Sequence, residues 1–161
     1  MVDLYLVRHA KSSWADPGMA DIDRPLNKRG KRDAPIMGER LAERGVSPDV
    51  IVSSPAKRAR RTAREFAKML GYEGEVVIVD VAYGGGPAAI IDVAQSIPER
   101  VTSLMVVGHN PDMTDLADSL TDYRVDAMPT CAVFGARFGS WTSVGPSSGQ
   151  FEFFVYPKDG T

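Results

Sequence analysis

Apolar residues follow two alternating rhythms along this chain. Short, nearly continuous hydrophobic runs at residues 2–7, 49–53, 75–79 and 103–107 read as strands. Runs such as "LYLV" and "LMVV" show no in–out alternation, which fits strands covered on both faces. Between these runs, apolar positions recur at helical spacing. Ala34, Met37, Leu41 and Ala42 predict a helix over residues 30–44, stopped by Gly45. Pro55 sits one or two residues into a second, basic helix that runs to Leu70 and is stopped by Gly71. The break Gly84-Gly85-Gly86-Pro87 leads into a helix over residues 88–96, and "GHNP" turns into another over 112–120. Residues 132–138 and 151–156 read as two late strands joined by a Gly/Ser-rich loop. The stretch "SSWADPGMADIDRPLNKRG" is a long loop, and long loops in compact domains are often functional.

Strands alternating with helices specify an α/β fold. The expected architecture is three-layer α/β/α, with a mostly parallel central sheet, in a single domain over residues 1–161. In such sheets the ligand site lies beyond the carboxyl ends of the strands. Three strand ends deliver polar groups there: Arg8-His9, Ser53-Ser54-Pro55 and Gly108-His109-Asn110-Pro111.

Composition narrows the function classes. With 161 residues there is room for one core and little for a second domain. The net charge of −2 argues against a bulk nucleic-acid binder. No run approaches the ~20 apolar residues of a membrane span, and the first residues do not read as a signal peptide. The single cysteine, Cys131, excludes an intramolecular disulfide. Together these point to a cytoplasmic protein.

The chain has just two histidines, and each directly follows an apolar strand. Either one alone is as readily a hydrogen-bonded strand-end residue. The pair, with Arg8 beside one and a basic helix start nearby, points to chemistry. Zinc fits poorly, since no HxxxH or HxH spacing is present and Arg8 would oppose a cation. Anion chemistry fits. "SSPAKRARRTA" carries Lys57, Arg58, Arg60, Arg61 and Arg64 on one helix. Most of these read as a solvated face, and Arg58 is best placed to reach the sheet edge. Arginine offers a fixed fork of donors that matches phosphate, and helix N-termini add free amides. An imidazole among fixed cations is held neutral and is then a nucleophile. The second imidazole, if protonated, stabilises charge on the transferring oxygens.

The motifs "LVRHAKS", "SSPAKRARRTA" and "VVGHNP" resemble the histidine phosphatase superfamily, specifically its small SixA-like phosphohistidine phosphatase branch. "DIDRPLNKRG" also resembles that branch. Ala10 stands where many members have glycine, as is common in the small branch. The resemblance implies a phosphoglycerate-mutase-like fold without a capping subdomain. It implies that His9 becomes phosphorylated, that Arg8, Arg58 and His109 bind the phosphoryl group, and that water then hydrolyses phospho-His9. Neither metal nor organic cofactor is implied.

Larger relatives use a carboxylic acid to protonate an alcohol leaving group. Here the candidates are Asp80 and Asp92 around the triple glycine, and Asp21 and Asp23 in the long loop. Asp80 reads as a cap or surface group, and Asp23 equally as a partner of Arg24 or Arg29. An alkoxide needs such an acid, worth roughly two to four orders of magnitude, whereas an imidazole leaves readily as a neutral ring. An open site without a dedicated acid therefore favours phosphohistidine on a protein. The alternatives are a broad phosphomonoesterase for a small phosphorylated metabolite and a phosphate-binding module without turnover. Other residues carry two readings each. Trp14 and Trp141 line a mouth or cover the core edge, and Tyr83 faces the site or solvent. Ser12 and Ser53 donate near phosphate or cap turns. Asn110 orients the pocket or begins the next helix, and Cys131 starts a strand as a buried hydrophobe.

Overall fold

The computed structural model describes residues 1–159. Six strands form one sheet: β1 (Val2–Arg8), β2 (Val50–Ser53), β3 (Val77–Ile78), β4 (Ser103–Gly108), β5 (Val133–Phe138) and β6 (Gln150–Val155). Their spatial order is β3-β2-β4-β1-β5-β6. β1 and β2 each pair parallel to β4, and β2 pairs parallel to β3. β5 runs antiparallel to β1, and β6 antiparallel to β5. The sheet is therefore mixed, with a parallel half that carries the crossovers and an antiparallel edge.

Four helices flank the sheet: α1 (Lys28–Glu43), α2 (Lys57–Met69), α3 (Pro87–Gln95) and α4 (Asp112–Leu120). The period of two in the central strands divides the core. Leu4, Leu6, Leu104, Val106 and Phe134 join Ile90 of α3 and Leu116 of α4 on one face. Val7, Met105, Val107 and Val133 join Met37 of α1 and Phe66 of α2 on the other. Both faces are buried, so β4 reads as one apolar run and not as an alternation. Each fully buried aliphatic or aromatic side chain contributes about 1.5–3 kcal/mol.

Local chemistry sets the ends of the elements. Asn27 caps α1, its side chain accepting from the Gly30 amide at 2.9 Å. Gly45 and Gly71 take positive φ just after α1 and α2. Most boundaries shift by one or two residues from the sequence reading, and two of the shifts have a plain physical reason. α2 begins at Lys57, so Pro55 lies ahead of the helix and not within it. The third strand shrinks from residues 75–79 to Val77–Ile78. It is an edge with one neighbour, both its residues are exposed, and little burial holds a longer strand in place.

Candidate active site

β1, β2 and β4 end side by side, which brings their terminal polar residues together. The register pairs Arg8 with Gly108, and the His9 amide donates to the Gly108 carbonyl at 3.0 Å. The Ser54 amide donates to Val107 at 3.0 Å, linking the third strand end. Cys131 clamps the nearby turn from the antiparallel side. Its backbone adopts φ 64° and its amide reaches both the Arg8 and His9 carbonyls at 3.0 Å. Cys131 thus stands just ahead of β5, fully buried, with its thiol pushed up by burial.

The two imidazole rings lie 5.0 Å apart between centroids. His9 Nδ1 is 2.7 Å from the Ala10 carbonyl. A carbonyl only accepts, so Nδ1 carries the proton and Nε2 keeps a free lone pair. The Ala10 amide in turn donates to Thr62 Oγ1 at 3.0 Å, and that hydroxyl donates to the Arg58 carbonyl at 2.8 Å. The first turn of α2 is thereby fastened to the loop that carries His9. Ala10 is fully buried there, which explains the need for a small residue.

His109 Nε2 lies 2.7 Å from Ser54 Oγ, and its Nδ1 is buried with no partner among the described residues. Arg8 donates to the Met128 carbonyl at 3.0 Å, while its buried Nε has no partner among the described residues. Buried polar atoms of this kind normally have partners, and both belong to groups suited to an oxyanion. Arg58 is buried to 6% exposure and points its fork at Asp21, to the carbonyl at 2.7 Å and to Oδ2 at 3.0 Å.

Asp21 is the residue whose position the sequence left open. It lies in a 3₁₀ turn over Asp21–Asp23, and the long loop is folded back so that Ser12 bridges Leu26. Gly30 permits this, because a Cβ there would sit 2.1 Å from the Lys11 carbonyl. The Asp21 carboxylate receives the Tyr83 hydroxyl at 2.6 Å, Arg58 at 3.0 Å and Arg24 at 2.8 Å. These donors, Tyr83 first, hold it well below the usual carboxylate range. Tyr83 also sets its ring edge-on to His109 at 5.3 Å, so it faces the site. Arg24 continues outward, bonding Ser12 Oγ and stacking over the exposed Trp14.

The remaining candidates fall elsewhere. Asp80 is exposed and opens a 3₁₀ turn, and Asp92 is exposed on α3. Asp23 is exposed and does not bridge Arg24 or Arg29: Arg24 pairs with Asp21 and Arg29 with Asp33. Lys57 and Arg64 face solvent, and Arg61 pairs with Glu65. Ser53 donates to the Ser54 carbonyl and so shapes the turn. Asn110 clamps Met128 and accepts from the Thr114 amide, an α4 start role. Trp141 is buried with Nε1 on the Val101 carbonyl, away from the strand ends that form the site. Ser54 was passed over in the sequence because its neighbour Ser53 is equally plausible there. Its role depends on which of two adjacent hydroxyls points at His109.

Burial, followed by the other imidazole, Arg58 and Arg8, lowers His9 to about 3. Burial and Arg58 lower His109 to about 4. Both rings are thus neutral above these values, and burial with Arg58 disfavours the protonated His109 that sequence reasoning entertained. In an NMR titration of the free protein, neither ring should change charge between pH 8 and pH 5. A midpoint near 6.5 for either would show a ring exposed to bulk water. The unfolded chain takes up protons on these histidines below about pH 6.5 while the native state does not. Their contribution therefore makes stability fall as pH drops from 6.5 toward 4.

Among the described residues no group of three His, Cys, Asp or Glu side chains could hold a metal ion, and no helix is long and apolar enough to cross a membrane. Residues 4–80 match the family model of the histidine phosphatase superfamily (branch 1). Uncharacterized protein Rv1276c of Mycobacterium tuberculosis is 33% identical, over 94% of this chain and 100% of its own length. A SixA-type protein of Agrobacterium tumefaciens, named for phosphohistidine phosphatase, superposes with a TM-score of 0.84 at 28% identity, over 97% of this chain and 98% of that one. Phosphoserine phosphatase 1 of Hydrogenobacter thermophilus is 36% identical over 104 residues, which are 62% of this chain and 48% of the relative.

Proposed function

The chain belongs to the histidine phosphatase superfamily, in its SixA-like branch, and from that premise we propose that it hydrolyses phosphohistidine on proteins through a phosphoryl group carried by His9. The SixA-type relative is named for this substrate class. In this reading the free Nε2 lone pair of His9 attacks phosphorus. The P–N bond of the substrate breaks, and its electron pair leaves with the substrate imidazole. That ring departs neutral when its other nitrogen is protonated. Water then attacks phospho-His9, the second P–N bond breaks, and Nε2 regains its lone pair as inorganic phosphate is released. Arg8, Arg58 and His109 take the charge that spreads over the three equatorial oxygens. No metal or organic cofactor takes part, and the protein works in the cytoplasm.

One observation carries the choice of substrate. Among the described residues, the carboxylate at the site is Asp21, and its three donors keep it ionised. An ionised carboxylate has no proton to give an alkoxide. A P–N bond does not require one, because an imidazole near its pKa of ~6.5 takes its proton from solvent. The likeness to phosphoserine phosphatase 1 supports the second reading, a broad phosphomonoesterase.

Parallel kinetics on a phosphohistidine peptide and on an alkyl phosphate monoester separate the two. The expected kcat/KM favours phosphohistidine by about 100-fold or more, the scale of missing general-acid assistance. Comparable values would mean that a carboxylate serves as acid after all, and would establish the metabolite phosphatase.

A further inference from the structure

Ser54 is fully buried at the end of β2. Its Oγ has two neighbours. The Ala56 amide donates to it at 3.0 Å, and His109 Nε2 lies 2.7 Å away. A hydroxyl has one proton to give and two lone pairs. The amide uses a lone pair, so the proton must find an acceptor or remain unsatisfied in a dry site. Among the described residues the acceptor within reach is Nε2. If Nε2 instead carried the ring proton, the Ser54 proton would have no partner and Nδ1 would be a buried, unpaired lone pair.

We infer that Ser54 is a positioning residue that fixes the tautomer of His109, placing the ring proton on Nδ1 as the donor offered to a phosphoryl oxygen. The inference rests on the reading of His109 as a phosphoryl ligand. The tautomer decides the sign of that contact. With the proton on Nδ1 a neutral ring attracts an oxyanion. With the proton on Nε2, the same atom presents a lone pair and repels it. Lowered basicity makes the point sharper, since a ring that stays neutral cannot avoid the choice by taking a second proton. His9 holds its proton on Nδ1 as well, fixed by the Ala10 carbonyl. The site thus contains two rings of the same tautomer with opposite tasks: His9 offers a lone pair, and His109 holds a buried proton that has no partner among the described residues.

With two histidines in the chain, imidazole ¹⁵N NMR gives two separable ring patterns. Wild-type protein at pH 7 should show both rings protonated on Nδ1, and inorganic vanadate should shift the His109 Nδ1–H signal. Ser54→Ala should abolish the single His109 pattern and lower kcat/KM on an aryl phosphate by about 10–100-fold, the scale of one lost buried hydrogen bond. Ser54→Thr, which keeps the hydroxyl, should retain the Nδ1 proton and lose less activity. A wild-type His109 protonated on Nε2 overturns the inference, whether or not Ser54→Ala folds. So does an unchanged His109 pattern in Ser54→Ala. A failure of the phosphohistidine preference leaves the NMR result standing, because the spectra involve neither substrate.

Discussion

Replacing His9 with alanine should lower turnover of a phosphohistidine peptide by about 10⁴-fold or more, the scale expected when a covalent nucleophile is removed. The same variant should still capture an oxyanion. In the proposed mechanism His9 provides the lone pair while Arg8, Arg58 and His109 provide the donors, and those three are held by contacts that do not pass through the His9 ring. Arg8 is held by Met128, Arg58 by Asp21, and His109 by Ser54. Calorimetry with inorganic vanadate should therefore show binding to His9→Ala, and phosphorus NMR should show a phosphorylated ring in wild type quenched with denaturant at alkaline pH, where the P–N bond survives, and none in the variant. Retained turnover would exclude His9 as the phosphoryl carrier. Wild-type protein that binds vanadate yet turns over neither phosphohistidine nor an ester would leave a binding module.

The elements that positioned these groups were legible because both faces of the central strands are buried. Residues 4–7 and 103–107 could be read without structure, since apolar runs that long have one explanation in a chain of alternating helices. Arg8, His9 and His109 followed from their place directly after those runs. Arg58 followed from its distance to the helix start, although the helix was read as already including Pro55, ahead of its start at Lys57. What the pattern could not reveal was anything held by folding of the long loop. Asp21 and Asp23 are two residues apart and chemically identical. Only the fold-back at Ser12 and Leu26, with Gly30 packed on Lys11, turns one to the site and leaves the other in solvent. The Ser53–Ser54 choice failed for a similar reason. In a strand, neighbouring side chains point to opposite faces, and the sequence does not say which of the two faces His109.

The antiparallel edge shows the same limit on a larger scale. Residues 132–138 and 151–156 were readable as strands, but their direction relative to β1 depends on the loop crossing over, which carries no hydrophobic signal. That edge matters to the site. β5 pairs with β1 along its whole length, and Cys131 ahead of it fixes the turn after Arg8. The turn that carries His9 is thus held from both sides, by β4 through Gly108 and by β5 through Cys131.

Arg58→Ala should lower kcat/KM on phosphohistidine by about 10³-fold, or about 4 kcal/mol of transition-state stabilisation. Arg58 is nearly fully buried, its fork is already oriented, and Asp21 lies on that fork. In the proposed mechanism a phosphoryl group must share or take over these donors. The carboxylate gains from Arg58 at a single oxygen and a backbone carbonyl, whereas a dianionic phosphoryl offers three oxygens and twice the charge, so the exchange favours substrate. Removing Arg58 deletes the fork and leaves the Asp21 charge facing the incoming dianion with less compensation. Two losses then act in one direction, and the second is reported separately. Asp21→Asn in the Arg58→Ala background should recover about tenfold, because it removes the repulsion without restoring the fork. Arg58→Lys should recover little, since a point charge does not reproduce two parallel N–H bonds. Steady-state kinetics of the three variants, with thermal melts to confirm folding, decide the matter. A loss below about tenfold in Arg58→Ala would place the phosphoryl group on Arg8 and His109 alone. No recovery on adding Asp21→Asn would show that Asp21 does not compete for the site.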